Sequence, residues 1–420
     1  MFRTNKQFLK FFEHIYSIVI TISLIFFIIW WISVDKFAYE ENLYARNEYC
    51  KDVCKIYYDL GYSYQKRKDW NSAINAYSAG IDSIIKNKQD LLSLSHYQDI
   101  RTSLISVYKE LNYCYEKIND KNNAFKAYCA KITIMSTYSI LRLNQTNSQL
   151  CNKNIWSGQS LKNKTIYVFT ENEPSESILF YRFLPHLANL GATVLFKPQP
   201  MFKNYFTDSQ YINIKIIDEN IDLATIEFDY YTPLLNIPYI LDIEYQNIPN
   251  YKNHIKPSQK KIDQFNFITK NKKKYTIGIA WNNDNYKNNS KQNYLNFNLF
   301  YEIAKIPGVQ CYALQNDFKK LLNQNLIIPL DHMLQDITDF VGAMHHLDLI
   351  VSANTLITHL AGSIEKPVWI LLPDITDWYW FAQSETDNSI WYKSAKKVHL
   401  TQQKNCKPLI KFIQNNLRYL

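Results

Sequence analysis

The sequence predicts three parts in order: an N-terminal transmembrane helix, a short region of α-hairpins, and two Rossmann-like α/β halves with parallel sheets. Three patterns predict this fold class. Residues 15–34 carry no charge, aromatic and small residues recur at helical spacing between residues 57 and 128, and apolar strands alternate with helices after residue 156. The predicted parts are a cytosolic stub and membrane anchor (1–36), the helical region (37–150), the first α/β half (151–255), a lysine-rich connector (256–274) and the second α/β half (275–420).

The uncharged run at residues 15–34 reads IYSIVITISLIFFIIWWISV and is long enough, as a helix, to cross a bilayer. Trp30 and Trp31 fit the aromatic belt at a membrane surface. A cleaved signal peptide is the alternative, but the run is too long and no small-x-small cleavage site follows it. We therefore expect an uncleaved, single-pass anchor in the inner (cell) membrane.

The helical region has the spacing of tetratricopeptide repeats, in which large residues of one helix fill holes beside small residues of the next. Two sets of residues follow this spacing, the second with Asn112 where Gly is usual: Tyr57, Leu60, Gly61, Tyr64, Ala73, Tyr77 and Gly80, then Tyr108, Leu111, Tyr115, Ala124 and Tyr128. Two units are fewer than the roughly three that stack stably alone, so we expect them to pack on the neighbouring domain or on a partner protein. An unspecific pair of helical hairpins is the alternative.

The α/β region contains repeated strand–helix–strand patterns, which indicate parallel sheets. The predicted elements are strands at 165–170, 192–198, 275–281, 309–315, 347–353 and 367–373, with helices at 177–190, 296–304 and 355–366. Gly191 fits the C-cap of the first of these helices.

One segment, LDLIVSANTLITHLAGSIEKPVWILLP, carries a candidate binding site at the turn Asn354-Thr355. A strand that ends at a helix N-terminus is where an α/β fold binds anions, because free N–H groups and the helix dipole face the ligand. Thr355, Thr358, His359 and Gly362 share one helix face, and two hydroxyls, an imidazole and a bare backbone suit a diphosphate. The alternative is an ordinary strand–helix–strand unit with buried apolar faces.

This segment, extended through DITDWYW, resembles the bacterial tetratricopeptide-repeat glycosyltransferases, which are related to the heptosyltransferases and to O-GlcNAc-transferase-like enzymes. The similarity covers about residues 155–400. Further matching residues are Trp156, Gly158, Glu171, Phe180, Arg182, Pro185, Gly191 and Ala192, and later Gly278, Trp281, Asn282, Phe300, Pro307, Gly308, Val309, Leu314 and Gln315.

The resemblance implies a glycosyltransferase B-type fold, with the acceptor mainly on the first half and the nucleotide-sugar donor on the second. It implies transfer of a sugar to a glycan, lipid or protein acceptor, with no metal and no cofactor. Glu176 would be the catalytic base. The residues implied to bind the nucleotide sugar are Lys287, Lys291, Asn354, Thr355, Thr358, His359 and Gly362.

Two departures from the family pattern leave a second function open. The family's Gly-Leu-Gly-Asp loop is Glu173-Pro174-Ser175-Glu176 here, and the family Asp before Thr355 is Asn354. Pro174 removes a backbone donor and conformational freedom, whereas Asn354 keeps an N-cap acceptor but loses the charge. The alternative function is therefore a catalytically degenerate scaffold that binds partner proteins through its repeat region.

The side of the membrane is a point of conflict. Three basic residues precede the span (Arg3, Lys6 and Lys10) and two follow it (Lys36 and Arg46). The larger number before the span favours a cytoplasmic N-terminus, which would place the α/β region outside the cytoplasm. An enzyme that uses nucleotide sugars, however, requires its α/β region in the cytoplasm. The difference is only one or two basic residues, so we favour the cytoplasmic side for the C-terminal domain.

Charge and cysteine content argue against nucleic-acid binding and against a zinc site. The net charge is +9, and its lysine-rich run at 256–274 has no interleaved aromatic stacking pattern, so we expect a solvated connector and no nucleic-acid partner. The seven cysteines include no CxxC pair, and Cys50 and Cys54 have no His at metal spacing. We therefore expect free, mostly buried thiols.

Overall fold

The computed structural model describes residues 52–85, 94–146, 153–170, 174–202, 205–206, 213–218, 220–249, 258–269, 275–281, 297–315, 326–373, 380, 388–400, 410–411 and 414–415. The predicted anchor at 15–34, and Lys287 and Lys291, lie outside these ranges. Within them, every helix is too short or too polar to cross a bilayer. The chain divides into two compact units between Val107 and Tyr108.

The first unit contains a helical hairpin, α1 (52–66) and α2 (Trp70–Ile85). Small residues bring the two helices together. A Cβ atom at Gly61 would lie 2.5 Å from the Tyr77 ring, and one at Gly80 would lie 2.9 Å from Tyr57 Cβ. The contacts expected between large and small residues are therefore present. That the hairpin is a tetratricopeptide repeat stays a prediction.

The second unit begins within α3 (Leu94–Lys117), which is followed by α4 (Lys121–Thr146). Asn112 occupies the position where the predicted repeat pattern has Gly. Its side chain is 5% exposed and donates a hydrogen bond to the Ala124 carbonyl at 2.8 Å. A hydrogen bond thus joins the two helices where a bare backbone would otherwise allow close contact.

Within the described ranges, five parallel strands form the first sheet in the order β1-β5-β2-β3-β4. They are β1 (Asn154–Ile155), β2 (Thr165–Phe169), β3 (Thr193–Lys197), β4 (Ile214–Ile216) and β5 (Tyr230–Pro233). Between β2 and β3 lie α5 (Pro174–Phe180), a 3₁₀ turn (Tyr181–Phe183) and α6 (Leu184–Asn189). Gly191 follows with φ +90°, which confirms the predicted helix end.

Six parallel strands of the described chain form the second sheet in the order β11-β10-β9-β6-β7-β8. They are β6 (Tyr275–Ala280), β7 (Val309–Ala313), β8 (Ile327–Pro329), β9 (Leu349–Ala353), β10 (Val368–Pro373) and β11 (Ala395–Leu400). Helices α7 (Ile237–Ile240) and α8 (Gln259–Gln264) precede it, and α9 (Phe297–Ala304), α10 (Ile337–His345) and α11 (Leu356–Ser363) connect its strands. The predicted parallel α/β architecture is confirmed.

Each sheet has one point where the strand order reverses. In the first sheet the chain runs outward from β2 through β3 to β4 and returns to β5 on the other side of β2. In the second sheet it runs from β6 through β7 to β8 and returns to β9 on the other side of β6. Ligands of open α/β sheets bind at such switch points, outside the carboxyl ends of the strands.

Helix α4 packs against the first half instead of standing apart as a repeat. It contacts α7 and residues Leu234–Asn236, which directly follow β5. The Tyr245 amide donates to Asn122 Oδ1 at 3.1 Å, and Lys126 forms an ion pair with Asp242 at 2.8 Å. The second hairpin therefore packs on the neighbouring domain, the first of the two expected alternatives.

The connector differs in part from expectation. Residues 258–269 form α8 and a 3₁₀ turn, and Lys261 forms ion pairs with Asp336 at 3.3 Å and with the buried Asp339. A Cβ atom at Gly342 of α10 would lie 2.5 Å from the Lys261 carbonyl oxygen, so the two backbones are in close contact. Lys261 is therefore bound to two carboxylates at the start of α10, whereas most residues of this segment are exposed, as expected for a solvated connector.

Candidate functional site

The turn Asn354-Thr355 lies at the carboxyl end of β9, at the switch point of the second sheet. Thr355 is the N-cap of α11, and its Oγ1 accepts a hydrogen bond from the Ile357 amide at 3.2 Å. The same hydroxyl lies 3.0 Å from Ser352 Oγ, while Asn354 is half-buried. A fixed cap therefore directs the positive end of the helix dipole towards the switch point.

The strand on the other side of this switch point, β6, is also held at its end. The Trp281 amide, one residue beyond β6, donates to Gln315 Oε1 at 2.5 Å. This bond ties the ends of β6 and β7 together. The chain then enters residues 282–296, which contain Lys287 and Lys291 and lie outside the described ranges.

The remaining residues of the predicted α11 face are turned towards the protein interior. Thr358 is fully buried, and its hydroxyl donates to the Ala353 carbonyl at 2.9 Å. His359 is fully buried, with Nδ1 3.1 Å from the Tyr392 hydroxyl and its ring stacked on Trp380 at a centroid distance of 5.3 Å. A Cβ atom at Gly362 would overlap the Tyr392 ring. Direct binding of a nucleotide sugar by these three residues stays a prediction.

The buried environment determines the charge of His359. Burial, assisted by the positive charge of Arg182, lowers the pKa of the imidazole to about 3. The ring is therefore neutral at physiological pH. In this arrangement it stabilises α11 through stacking and the Tyr392 contact.

Acidification is expected to destabilise the protein through His359. Below pH 6.5 the imidazole is protonated in the unfolded chain but stays neutral in the folded one, until the pH approaches about 3. The contribution of His359 to the free energy of unfolding should therefore fall by about 1.4 kcal/mol for each pH unit in this window. Urea unfolding of the full-length protein between pH 7 and pH 5 measures the slope.

His359→Phe, which keeps an aromatic ring against Trp380, is the matched variant for this experiment. The comparison is needed because burial raises the pKa of Glu116 to about 7, which contributes a dependence of the opposite sign. The difference between wild type and variant isolates His359. Equal slopes in the two proteins would contradict the prediction.

The predicted base, Glu176, lies in the first turn of α5, beyond the carboxyl end of β2 at the switch point of the first sheet. Its side chain is half-buried, and the Tyr128 hydroxyl of α4 donates to its Oε1 at 3.3 Å. The sequence identified Tyr128 only as a repeat residue. The helical hairpin thus contributes a contact to the predicted catalytic carboxylate.

The structure brings the two switch-point helices together. Helix α5, which follows β2, packs directly against α11, which follows β9. The Tyr205 hydroxyl of the first half also lies 2.6 Å from Ser363 Oγ at the end of α11. Glu176 and the turn Asn354-Thr355 therefore belong to helices in direct contact, as a site formed between two halves requires.

Three residues at this junction were not predicted as functional: Arg182, Trp391 and Tyr392. All three are buried, and burial raises the pKa of the Tyr392 hydroxyl to about 12. Arg182 was visible in the sequence only as a match to the glycosyltransferase pattern. The adjacent Trp391-Tyr392 pair in a polar stretch was the only signal for the other two. Within the described part of the chain, no group of three or more His, Cys, Asp or Glu residues could hold a metal ion.

Comparison with known proteins finds no matching family model and no matching curated protein. Solved structures with similar architecture include a glycosyl transferase family 9 protein from Veillonella parvula (11% identity, TM-score 0.45, 62% of this chain and 91% of that chain covered). Others are the E. coli ADP-heptose LPS heptosyltransferase II (10%, 0.41, 60% and 98%) and the E. coli heptosyltransferase WaaC with ADP (7%, 0.39, 60% and 99%). At TM-scores below 0.5, none of these similarities assigns a family or an activity to the chain.

Proposed function

We propose that this protein is a membrane-anchored glycosyltransferase of the B-type fold, which moves a sugar from a nucleotide-sugar donor to a glycan, lipid or protein acceptor. The observation that carries the proposal is the pairing of two switch points. In each parallel sheet, one of the two predicted loops follows a strand at the switch point: the loop after β2 in the first sheet and the turn after β9 in the second. The helices that follow these loops, α5 and α11, are in contact. The resemblance over residues 155–400 supports the same reaction class.

The proposed donor site lies between the ends of β6 and β9. The diphosphate would bind at the N-terminus of α11, against the turn Asn354-Thr355, where the helix dipole favours an anion. Lys287 and Lys291, in the segment after Trp281, would supply positive charge. Thr358, His359 and Gly362 would act by holding α11 in place, since their contacts are with Ala353, Tyr392 and Trp380.

The proposed chemistry uses Glu176 as general base. Its carboxylate would take the proton of an acceptor hydroxyl while that oxygen bonds to the anomeric carbon of the donor sugar. The bond from this carbon to the diphosphate breaks, and the helix N-terminus and its N–H groups stabilise the leaving group. This assignment needs no metal and no cofactor. The active domain would face the cytoplasm.

The second candidate function is a catalytically degenerate scaffold. The altered loop favours it, because Glu173 and Ser175 replace the two glycines of the glycosyltransferase pattern, and Pro174 at the leucine position starts α5. In this case the function would not depend on whether the nucleotide site is retained. The helical region would then bind partner proteins.

Titration of the purified full-length protein with UDP, ADP, GDP and CMP at millimolar concentrations tests the proposal. We expect at least one nucleotide to bind, and Asn354→Ala to weaken that binding by several-fold because an N-terminal polar contact is lost. Asn189→Ala, an exposed change at the end of α6, is the matched control and should have no effect. Absence of binding by all four nucleotides would reject the enzyme. Binding without turnover of any nucleotide sugar would support the scaffold.

A further inference from the structure

Arg182 joins three distant segments of the chain. It lies in the 3₁₀ turn after α5 and is 1% exposed. Its Nε donates to the Leu179 carbonyl at 2.7 Å, and its Nη1 donates to the carbonyls of Pro249 at 3.1 Å and Trp391 at 2.7 Å. The first bond lies within the first half. The second reaches the end of that half, and the third reaches the segment that precedes β11 in the second half.

Aromatic rings fix the guanidinium further. Its central carbon lies 5.2 Å from the Trp391 ring centroid and 5.1 Å from that of Tyr392, within the range of cation–π attraction. Trp391 in turn packs against Phe180 of α5 and Phe125 of α4, at centroid distances of 6.2 and 6.0 Å. Helix α4, helix α5 of the first half and a segment of the second half therefore meet around one side chain.

The same contacts lead to the candidate donor site. The Tyr392 hydroxyl lies 3.1 Å from His359 Nδ1, and Tyr392 fills the space beside Gly362 of α11. Arg182 therefore connects the end of α5 to α11 through Tyr392. These two helices carry the predicted base and the predicted diphosphate site at their N-termini.

We propose that Arg182 is a positioning residue that fixes the angle at which the two α/β halves face each other. A planar guanidinium offers donors in fixed directions, so one side chain can hold three carbonyls in one arrangement. Pro249 marks where the chain leaves the first half, and Trp391 belongs to the second. Binding both carbonyls restrains rotation of one half against the other. The proposal concerns the geometry of the chain and holds whether or not the protein transfers a sugar.

Distance measurements between the halves test the proposal. Spin labels introduced as non-natural amino acids at Asn189 and Lys305, both exposed, report on the two halves, and this chemistry avoids the seven native cysteines. Labels at Asn189 and Tyr239, both exposed and at opposite ends of the first sheet, form the control pair. Pulsed electron paramagnetic resonance of the full-length protein gives the distance distribution for each pair.

In Arg182→Met, which keeps the aliphatic stem without the donors, the distribution between the halves should broaden or shift. The distribution of the control pair should stay as in the wild type. An unchanged distribution between the halves in this variant would overturn the proposal. Equal broadening of both pairs would also overturn it, because Arg182 would then support only the fold of the first half.

Arg182→Lys is the second variant and is the milder change for folding. Its ammonium keeps the charge but cannot reach the Leu179, Pro249 and Trp391 carbonyls together, so we expect a broadening between the halves smaller than in Arg182→Met. A wild-type distribution in Arg182→Lys would show that charge alone suffices and would overturn the role of the planar fork. Nucleotide titration of the same variants should change by less than about twofold, since the Arg182 hydrogen bonds reach the Leu179, Pro249 and Trp391 carbonyls, whereas the proposed diphosphate site is the turn Asn354-Thr355.

Discussion

Replacement of Glu176 by Gln is expected to slow sugar transfer by about 10²–10⁴-fold while leaving nucleotide binding nearly unchanged. Gln has the same shape but cannot take the acceptor proton. The Tyr128 hydroxyl, which donates to Glu176 Oε1, can still donate to the Gln carbonyl oxygen, so the side chain should keep its position. Steady-state kinetics with a radiolabelled nucleotide sugar, together with a nucleotide titration, measures both effects.

Two further variants control this experiment. Glu227→Gln removes an exposed carboxylate of the same half and should leave transfer unchanged. Tyr128→Phe removes the hydroxyl donor alone and should slow transfer by only about two- to tenfold, the effect of one neutral hydrogen bond. Wild-type activity in Glu176→Gln would rule out Glu176 as the base. Similar losses in Glu176→Gln and Glu227→Gln would point to a general effect of charge.

Replacement of Trp391 by Ala is expected to lower the free energy of unfolding by about 3–5 kcal/mol. Its side chain is 1% exposed, and its neighbours come from α4, from α5 and from the turn that carries Arg182. The indole therefore fills a space between three parts of the chain, and truncation leaves a cavity that they cannot all collapse to fill. Denaturant unfolding, followed by circular dichroism, measures the loss.

Tyr239→Ala is the control for Trp391→Ala. The Tyr239 side chain is 49% exposed on α7, so its removal should change the free energy of unfolding by no more than about 0.5 kcal/mol. Trp391→Phe should fall between the two variants because part of the ring volume remains. If Trp391→Ala were no less stable than Tyr239→Ala, the junction would contribute little to the fold.

The strands and helices of the α/β region could be predicted because their signals are local. Strand β9 is a run of five buried residues, as expected for a parallel sheet covered on both faces. Gly191 ends α6 with a positive φ, which is what a glycine after an apolar helix predicts. The exact N-cap is predicted wrongly: Asn354 is expected to keep the N-cap acceptor, whereas the hydroxyl of the next residue, Thr355, caps α11.

The direction in which the α11 residues face could not be predicted from spacing. Periodicity places Thr358, His359 and Gly362 on one face, but it does not say whether that face meets a ligand or the interior. Tyr392, 33 residues beyond His359, occupies that face. The partners of Arg182 are similarly remote, 67 residues away at Pro249 and 209 residues away at Trp391. No local sequence pattern predicts contacts between residues so far apart in the chain.

The packing of α4 has a consequence for how this protein can be divided and how it can evolve. Phe125 and Tyr128 belong to the same buried cluster as Phe180 and Trp391. A chain cut at residue 151, where the α/β pattern begins, would lose part of its own interior. Repeat arrays that are exchanged between genes need a boundary without shared core residues, and residue 151 is not such a boundary. The second hairpin is therefore expected to be inherited and expressed together with the sheets.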